Sequence, residues 1–174
     1  LAPYTEYGGG LSPDYENQSL LTALDSFIAA FGEQYDGDPR IGFIQTGTIG
    51  FWGEWHTYPY DGVVEQPNLM ASETTQIRVL TAYRNAFSQT KLLTRYPAAN
   101  SVALNYGYHD DMFAFNTLPT IIWHFMSKIN AANVSDRWKT EPIGGEIAPA
   151  IQISLWSHPT GNGNEDYYEC VDTT

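Results

Sequence analysis

The sequence predicts an α/β fold with a parallel sheet, read as an incomplete TIM-type (β/α) barrel holding roughly strands three or four to seven. Three observations predict it. Short apolar, strand-like runs alternate with amphipathic helical stretches. The loops after the strands are long and rich in unusual residues, as in a barrel whose site lies on those loops. No phosphate-cradling loop follows a strand. Gly8-Gly9-Gly10 lacks the Rossmann spacing, and Gly47-Thr48-Ile49-Gly50 lacks the lysine of a phosphate loop. A whole barrel needs about 250 residues, and the chain has 174. Residues 1–174 are therefore expected to be one partial barrel domain, a fragment of a larger protein, with the rest of the barrel outside it.

The elements follow in order. Leu1 to Tyr4 reads as the tail of a strand, and Glu6 to Asp14 as a glycine- and proline-bearing loop. Leu20, Leu21, Leu24, Phe27, Ile28 and Phe31 recur at spacings of three and four, which predicts a helix over Ser19 to Tyr35 capped by Asn17. Asp36-Gly37-Asp38-Pro39 ends it. The apolar run Ile41 to Gln45 predicts a buried strand. A long loop from Thr46 to Ser72 precedes a helix over Glu73 to Phe87 and a strand over Lys91 to Arg95. Weaker signals predict a strand over Val102 to Tyr108, a helix over Pro119 to Ala131 and a short strand over Pro142 to Glu146. Ala148 to Trp156 is ambiguous, and the polar tail from Pro159 to Thr174 reads as loop.

Composition narrows the function classes. Lysine and arginine total 8 against 20 acidic residues, for a net charge of -12. A chain this acidic repels phosphate backbones, so no nucleic-acid partner is expected. No run approaches the roughly 20 apolar residues that span a bilayer, so no membrane partner is expected either. Aromatic residues make up 14%, a composition suited to tight packing or to stacking on sugars. Cys170 is single and cannot form an internal disulfide. The glycosylation patterns at Asn17 and Asn133, together with the acidic, lysine-poor composition, point to a secreted or extracellular protein.

The chemistry concentrates in Phe51-Trp52-Gly53-Glu54-Trp55-His56. A carboxylate between two tryptophans is expected to be desolvated, which would raise its pKa and suit it to act as an acid. The alternative is an aromatic loop packed over the barrel, with Glu54 in a salt bridge or a cap. Glu146 is the second carboxylate, emerging at a strand end after Gly144-Gly145. Glycoside hydrolysis needs two such groups, about 5 to 5.5 Å apart for retention. Glu146 could instead cap the next segment or pair with Arg95. His56, His109, Asp110 and Asp111 could ligate a divalent ion, but their spacing matches no zinc pattern, so no metal and no cofactor is expected. Binding to sugar hydroxyls, or loop structure, is the favoured role for the His109 cluster. His124 reads as a satisfied helix histidine. No Gly-x-Ser-x-Gly elbow occurs.

Several segments together carry a family resemblance. They are Asp38 to Gln45, Gly50-Phe51-Trp52-Gly53-Glu54-Trp55-His56, Arg95-Tyr96-Pro97, Gly107-Tyr108-His109-Asp110-Asp111 and Gly144-Gly145-Glu146. In this order they resemble an uncharacterised family of barrel proteins related to glycoside hydrolases. The resemblance implies that Glu54 follows the fourth strand and Glu146 the seventh, the acid/base and nucleophile positions of the retaining glycosidase clan on that barrel. That clan usually carries asparagine before the acid/base, where this chain has Gly53.

The expected function is a retaining glycosidase with Glu54 as acid/base and Glu146 as nucleophile. Trp52, Trp55, Tyr58 and Tyr108 would form the sugar platform, and His56, Arg95, His109, Asp110 and Asp111 would complete substrate binding. Two alternatives are a carbohydrate-binding barrel without catalysis and a metal-dependent hydrolase.

Overall fold

Asn17 opens the first helix as the sequence requires. Its side-chain oxygen accepts hydrogen bonds from the backbone N–H groups of Ser19 and Leu20, two donors that the first turn of a helix leaves unpaired. The computed structural model describes residues 1–62, 65–149 and 152. The ambiguous segment Ala148 to Trp156 lies largely outside these residues, as do the polar tail and Cys170.

Helix α1 (Gln18–Tyr35) leads to β3 (Phe43–Gln45), helix α2 (Glu73–Ala86), β4 (Lys91–Thr94), β5 (Gly107–Phe113), helix α3 (Phe125–Ala131) and β6 (Ile143–Ile147). Strands β3 to β6 form one four-stranded sheet in that order, every pair parallel. The sheet curls into half a barrel. Ahead of it, β1 (Ala2–Tyr4) and β2 (Gly10–Ser12) pair antiparallel as a separate hairpin.

The barrel expectation is thereby corrected. The described residues form a small α/β domain with four parallel strands and three α-helices, not a TIM-type barrel. Leu1 to Tyr4 does not end a barrel strand. A turn of five residues, Thr5 to Gly9, sends the chain straight back along itself. A parallel connection needs a crossover of about a dozen residues, so across so short a turn β1 and β2 pair only antiparallel.

One face of the sheet carries the core. Tyr108 pairs with Thr94 of β4 and Ile143 of β6, and Leu92, two residues before Thr94, shares their face. Leu92, Tyr108 and Ile143 meet Ile28 of α1, Val79 and Leu80 of α2, and Ile129 of α3. Side chains alternate along a strand. Leu93, His109 and Glu146 therefore belong to the opposite, concave side. Helices α1 and α2 approach closely at Gly32, where a Cβ would stand 2.3 Å from the backbone oxygen of Ala86. A glycine is needed there for that approach, despite its lower helix propensity.

Two further elements shift from expectation. Residues 101–105 form turns, with Asn105 at φ 58, so β5 begins at Gly107 and not at Val102. The third helix begins at Phe125 instead of Pro119, because backbone bonds from Phe125 to Asn116 and from Met126 to Thr117 fold the preceding residues into a loop. His124 consequently precedes the helix. Its Nδ1 lies 2.9 Å from the backbone oxygen of Leu118, while Nε2 is buried without a partner.

Asp36 ties α1 to the chain entering β4. Its carboxylate accepts from the backbone N–H groups of Ser88, Gln89 and Thr90 and from the Ser88 hydroxyl. Burial opposes its ionisation, but these donors outweigh it and hold the carboxyl well below the usual aspartate range. The folded pKa is depressed, so this stability is present above the unfolded value and is lost as pH falls through the folded one. Asp36→Ala should lower the denaturation midpoint at neutral pH. It should also flatten the loss of stability below about pH 4. Urea titrations of both proteins from pH 7 to pH 2 check this; parallel pH profiles would remove Asp36 as a source of acid sensitivity.

Candidate functional site

The loop after β3 is built by backbone conformation as much as by side chains. Gly50 and Gly53 have φ of 85 and 79, and Trp52 and Trp55 have φ of 53 and 58. The Phe51–Gly53 segment is a short 3-10 turn, closed by the Gly53 N–H donating to the Gly50 carbonyl and the Glu54 N–H to the Phe51 carbonyl, while the Phe51 N–H donates across the loop to the carbonyl of His56. This winding sends the two tryptophans opposite ways. Trp55 is buried, and its Nε1 donates to the carbonyl of Thr46. Trp52 is 63% exposed. The expected symmetric tryptophan sandwich around Glu54 does not form, so Trp55 belongs to the core and Trp52 to the surface.

Glu54 follows this turn and is partly exposed. His56 Nε2 lies 3.5 Å from its Oε2. That contact, and the nearby charges of Arg95 and His109, hold the Glu54 carboxyl below its usual range despite partial burial. Glu54 thus shifts opposite to the direction expected from its two tryptophan neighbours and is ionised at neutral pH.

Arg95 stands immediately after β4. One guanidinium nitrogen pairs with Asp111 Oδ2, and Nη1 donates to the Glu54 carbonyl at 3.4 Å. Its guanidinium carbon lies 4.8 Å from the Tyr96 ring centroid, a cation–π distance. The Arg95–Asp111 pair is buried, and Arg95 Nε and Asp111 Oδ1 have no partner. Arg95 therefore joins the β3 loop to β5, and its ion-pair partner is Asp111.

Neighbouring residues in β5 divide their roles because a strand alternates its faces. Asp110 accepts from the Met112 N–H and the Thr117 hydroxyl, which organises the bulge between Asp110 and Phe113. Burial is the main cause that pushes the Asp110 carboxyl up, against those hydrogen bonds. Asp111 turns to Arg95. Tyr108 is wholly buried in the core and offers no face to a ligand, so it leaves the expected sugar platform. His109 is half-buried, on the side of Arg95.

Glu146 is exposed on β6, three strands from β3. The register pairs His109 with Gly144, so Glu146, two residues on, shares the concave face with His109. It makes no hydrogen bond or ion pair among the described residues. Tyr58 is 55% exposed.

One contributor was not legible in sequence. Tyr7 sits in the hairpin turn with φ 55 and is 53% exposed. Its ring meets Trp52 edge-on at 4.9 Å, with 71° between the planes, and His56 at 6.5 Å. Burial raises the pKa of its hydroxyl, Tyr58, Glu6 and Asp61 raise it further, and Arg95 opposes them. The only local signal was a tyrosine before Gly8-Gly9-Gly10.

Among the described residues, no three of His, Cys, Asp and Glu gather to hold a metal ion. His56 is engaged with Glu54, Asp110 with Thr117 and Asp111 with Arg95. The described helices include none long and apolar enough to cross a membrane. Asn17 and Asn133 are both exposed, Asn17 as the helix cap and Asn133 just past α3 with φ 59. Comparisons of the chain with protein-family models, with curated proteins and with solved structures gave no match.

Proposed function

We propose that the chain binds a carbohydrate on the face formed by Tyr7, Trp52, Glu54, His56 and Arg95. The observation that carries this reading is the Tyr7–Trp52 pair. Both residues hold left-handed backbone, and both side chains are more than half exposed. That backbone costs a non-glycine residue about 1–2 kcal/mol, and burial does not compensate it here. Strain kept in exposed aromatics from two separate loops is the pattern of a ligand clamp. The rings supply apolar faces for the C–H faces of sugars. The ionised Glu54 accepts from hydroxyls, and the imidazole of His56 adds a second polar contact beside it.

The test is titration of a panel of soluble glycans by calorimetry. Trp52→Ala should weaken binding at least tenfold. Its denaturation midpoint should stay nearly unchanged, because an exposed side chain contributes within about 0.5 kcal/mol. Equal binding by the variant, or no binding by the unmodified chain, would defeat the reading.

Glycoside hydrolysis by Glu54 and Glu146 is a second reading. The strand register favours it, by putting Glu146 on the face of His109. With Glu54 held as a carboxylate, Glu54 would serve as base or nucleophile, and Glu146 would have to carry the proton. Release of reducing ends by the unmodified chain, lost in Glu54→Gln, supports this reading; binding without release leaves carbohydrate binding alone.

A further inference from the structure

We infer that the ligand of this face is a neutral polysaccharide held along its length, neither a free sugar nor an acidic polymer. The inference rests on the carbohydrate reading above and adds the class of glycan. Three observations carry it.

The first is the angle between the rings. Tyr7 and Trp52 stand 71° apart. A sugar ring stacks on one plane, so the two side chains cannot share a single face of one sugar. They serve two units of a chain. Tyr58, also exposed and close enough to act on the Tyr7 hydroxyl, adds a third aromatic ring near the pair.

The second is openness. Tyr7, Trp52 and Tyr58 are each more than half exposed. A cleft of about 300 Å³ does exist, lined by Leu1, Pro13, Tyr15 and Met70 among others, but its lining includes none of Tyr7, Trp52, Glu54, His56 or Arg95. A ligand read by these side chains lies across their exposed faces and not inside that cleft. A pocket that encloses a chain end would bury its aromatics instead.

The third is charge. The chain carries a net charge of -12. Glu6 and Asp61 act on the Tyr7 hydroxyl, and Glu54 is ionised beside Trp52. Arg95, the guanidinium of this face, is already engaged by Asp111 and by the Glu54 carbonyl. It offers no free charge to a uronate or sulfate group. Like charges within a Debye length, about 8 Å at physiological salt, repel an acidic polymer.

The full chain is titrated with hydroxyethyl cellulose, galactomannan, arabinoxylan and mixed-linkage β-glucan at low salt. The polymer that binds is then compared with its own carboxymethylated derivative and with the methyl glycoside of its backbone sugar. The expected result is at least tenfold tighter binding of the neutral polymer than of either control. The gap to the carboxymethylated form should narrow as salt rises. Tyr7→Ala and Trp52→Ala lie on different loops, and each should weaken the polymer at least tenfold. If either variant fails to fold, the other decides. A methyl glycoside or a carboxymethylated polymer that binds as tightly as the neutral polymer overturns this inference and leaves the carbohydrate reading standing. Binding to none of the glycans overturns both.

Discussion

Arg95→Met should destabilise the fold by about 3–5 kcal/mol, the range for breaking a buried ion pair by removing one partner. Arg95 and Asp111 are each about nine-tenths buried, and their contact joins the β3 loop to β5. Methionine fills much of the arginine volume but leaves the Asp111 carboxylate in a low-dielectric site with no counter-charge. Most of the loss should come from that stranded charge. Arg95→Met combined with Asp111→Leu should therefore recover a large part of the stability, since it removes both charges and keeps apolar volume. Chemical denaturation of the two single variants and the double variant measures the coupling. A double variant as unstable as the sum of the singles would show that the two side chains act independently. Loss of stability in Arg95→Met should also loosen the Glu54 loop, because the guanidinium donates to the Glu54 carbonyl.

Gly53→Ala should have the next largest effect, about 2–3 kcal/mol of stability together with loss of glycan binding. Gly53 has φ 79, a region that alanine adopts only under strain. Space adds to the conformational cost. A Cβ at Gly53 would stand 2.4 Å from the carbonyl oxygen of Gly47 and 2.6 Å from its carbon. Both atoms are backbone, so no rotamer change relieves the clash and the loop must move. Trp52 and Glu54 flank the position, so the aromatic pair and the Glu54–His56 contact would shift with it. Hydrogen exchange across residues 46–57, alongside glycan titration, reads both effects. Unchanged exchange and unchanged affinity would mean that the loop geometry does not depend on this glycine. The same packing bears on the asparagine that the retaining glycosidase clan carries here. In this chain the position has no room for a side chain unless the Gly47 backbone moves.

The sequence by itself determined the parallel α/β character, because its signals are local. The three- and four-residue apolar spacing produced α1 and α2, and Asn17 and Ser72 cap them as side chains that accept backbone N–H groups. Short apolar runs produced β3 and β4. It also located the loop that holds Trp52, Glu54 and His56, since aromatic density and a carboxylate are visible without coordinates. Tertiary structure decided what local pattern cannot carry. Whether Leu1 to Tyr4 joined the sheet or folded on itself depended on pairing with Gly10–Ser12, a choice made between strands. The fates of Trp52 and Trp55 depended on left-handed residues that wind the turn and send one indole out and the other in. Tyr108 and His109 parted because alternate residues of a strand face opposite sides, and only the helices packed on the sheet settle which side is core. The Glu54 pKa moved opposite to its sequence expectation for the same reason. Two tryptophans beside it in the chain are not two tryptophans around it in space, while Arg95 and His109 reach it through the fold and His56 through the winding of its own loop. Tyr7 entered the site across 45 residues of chain, through a ring contact that no local spacing encodes.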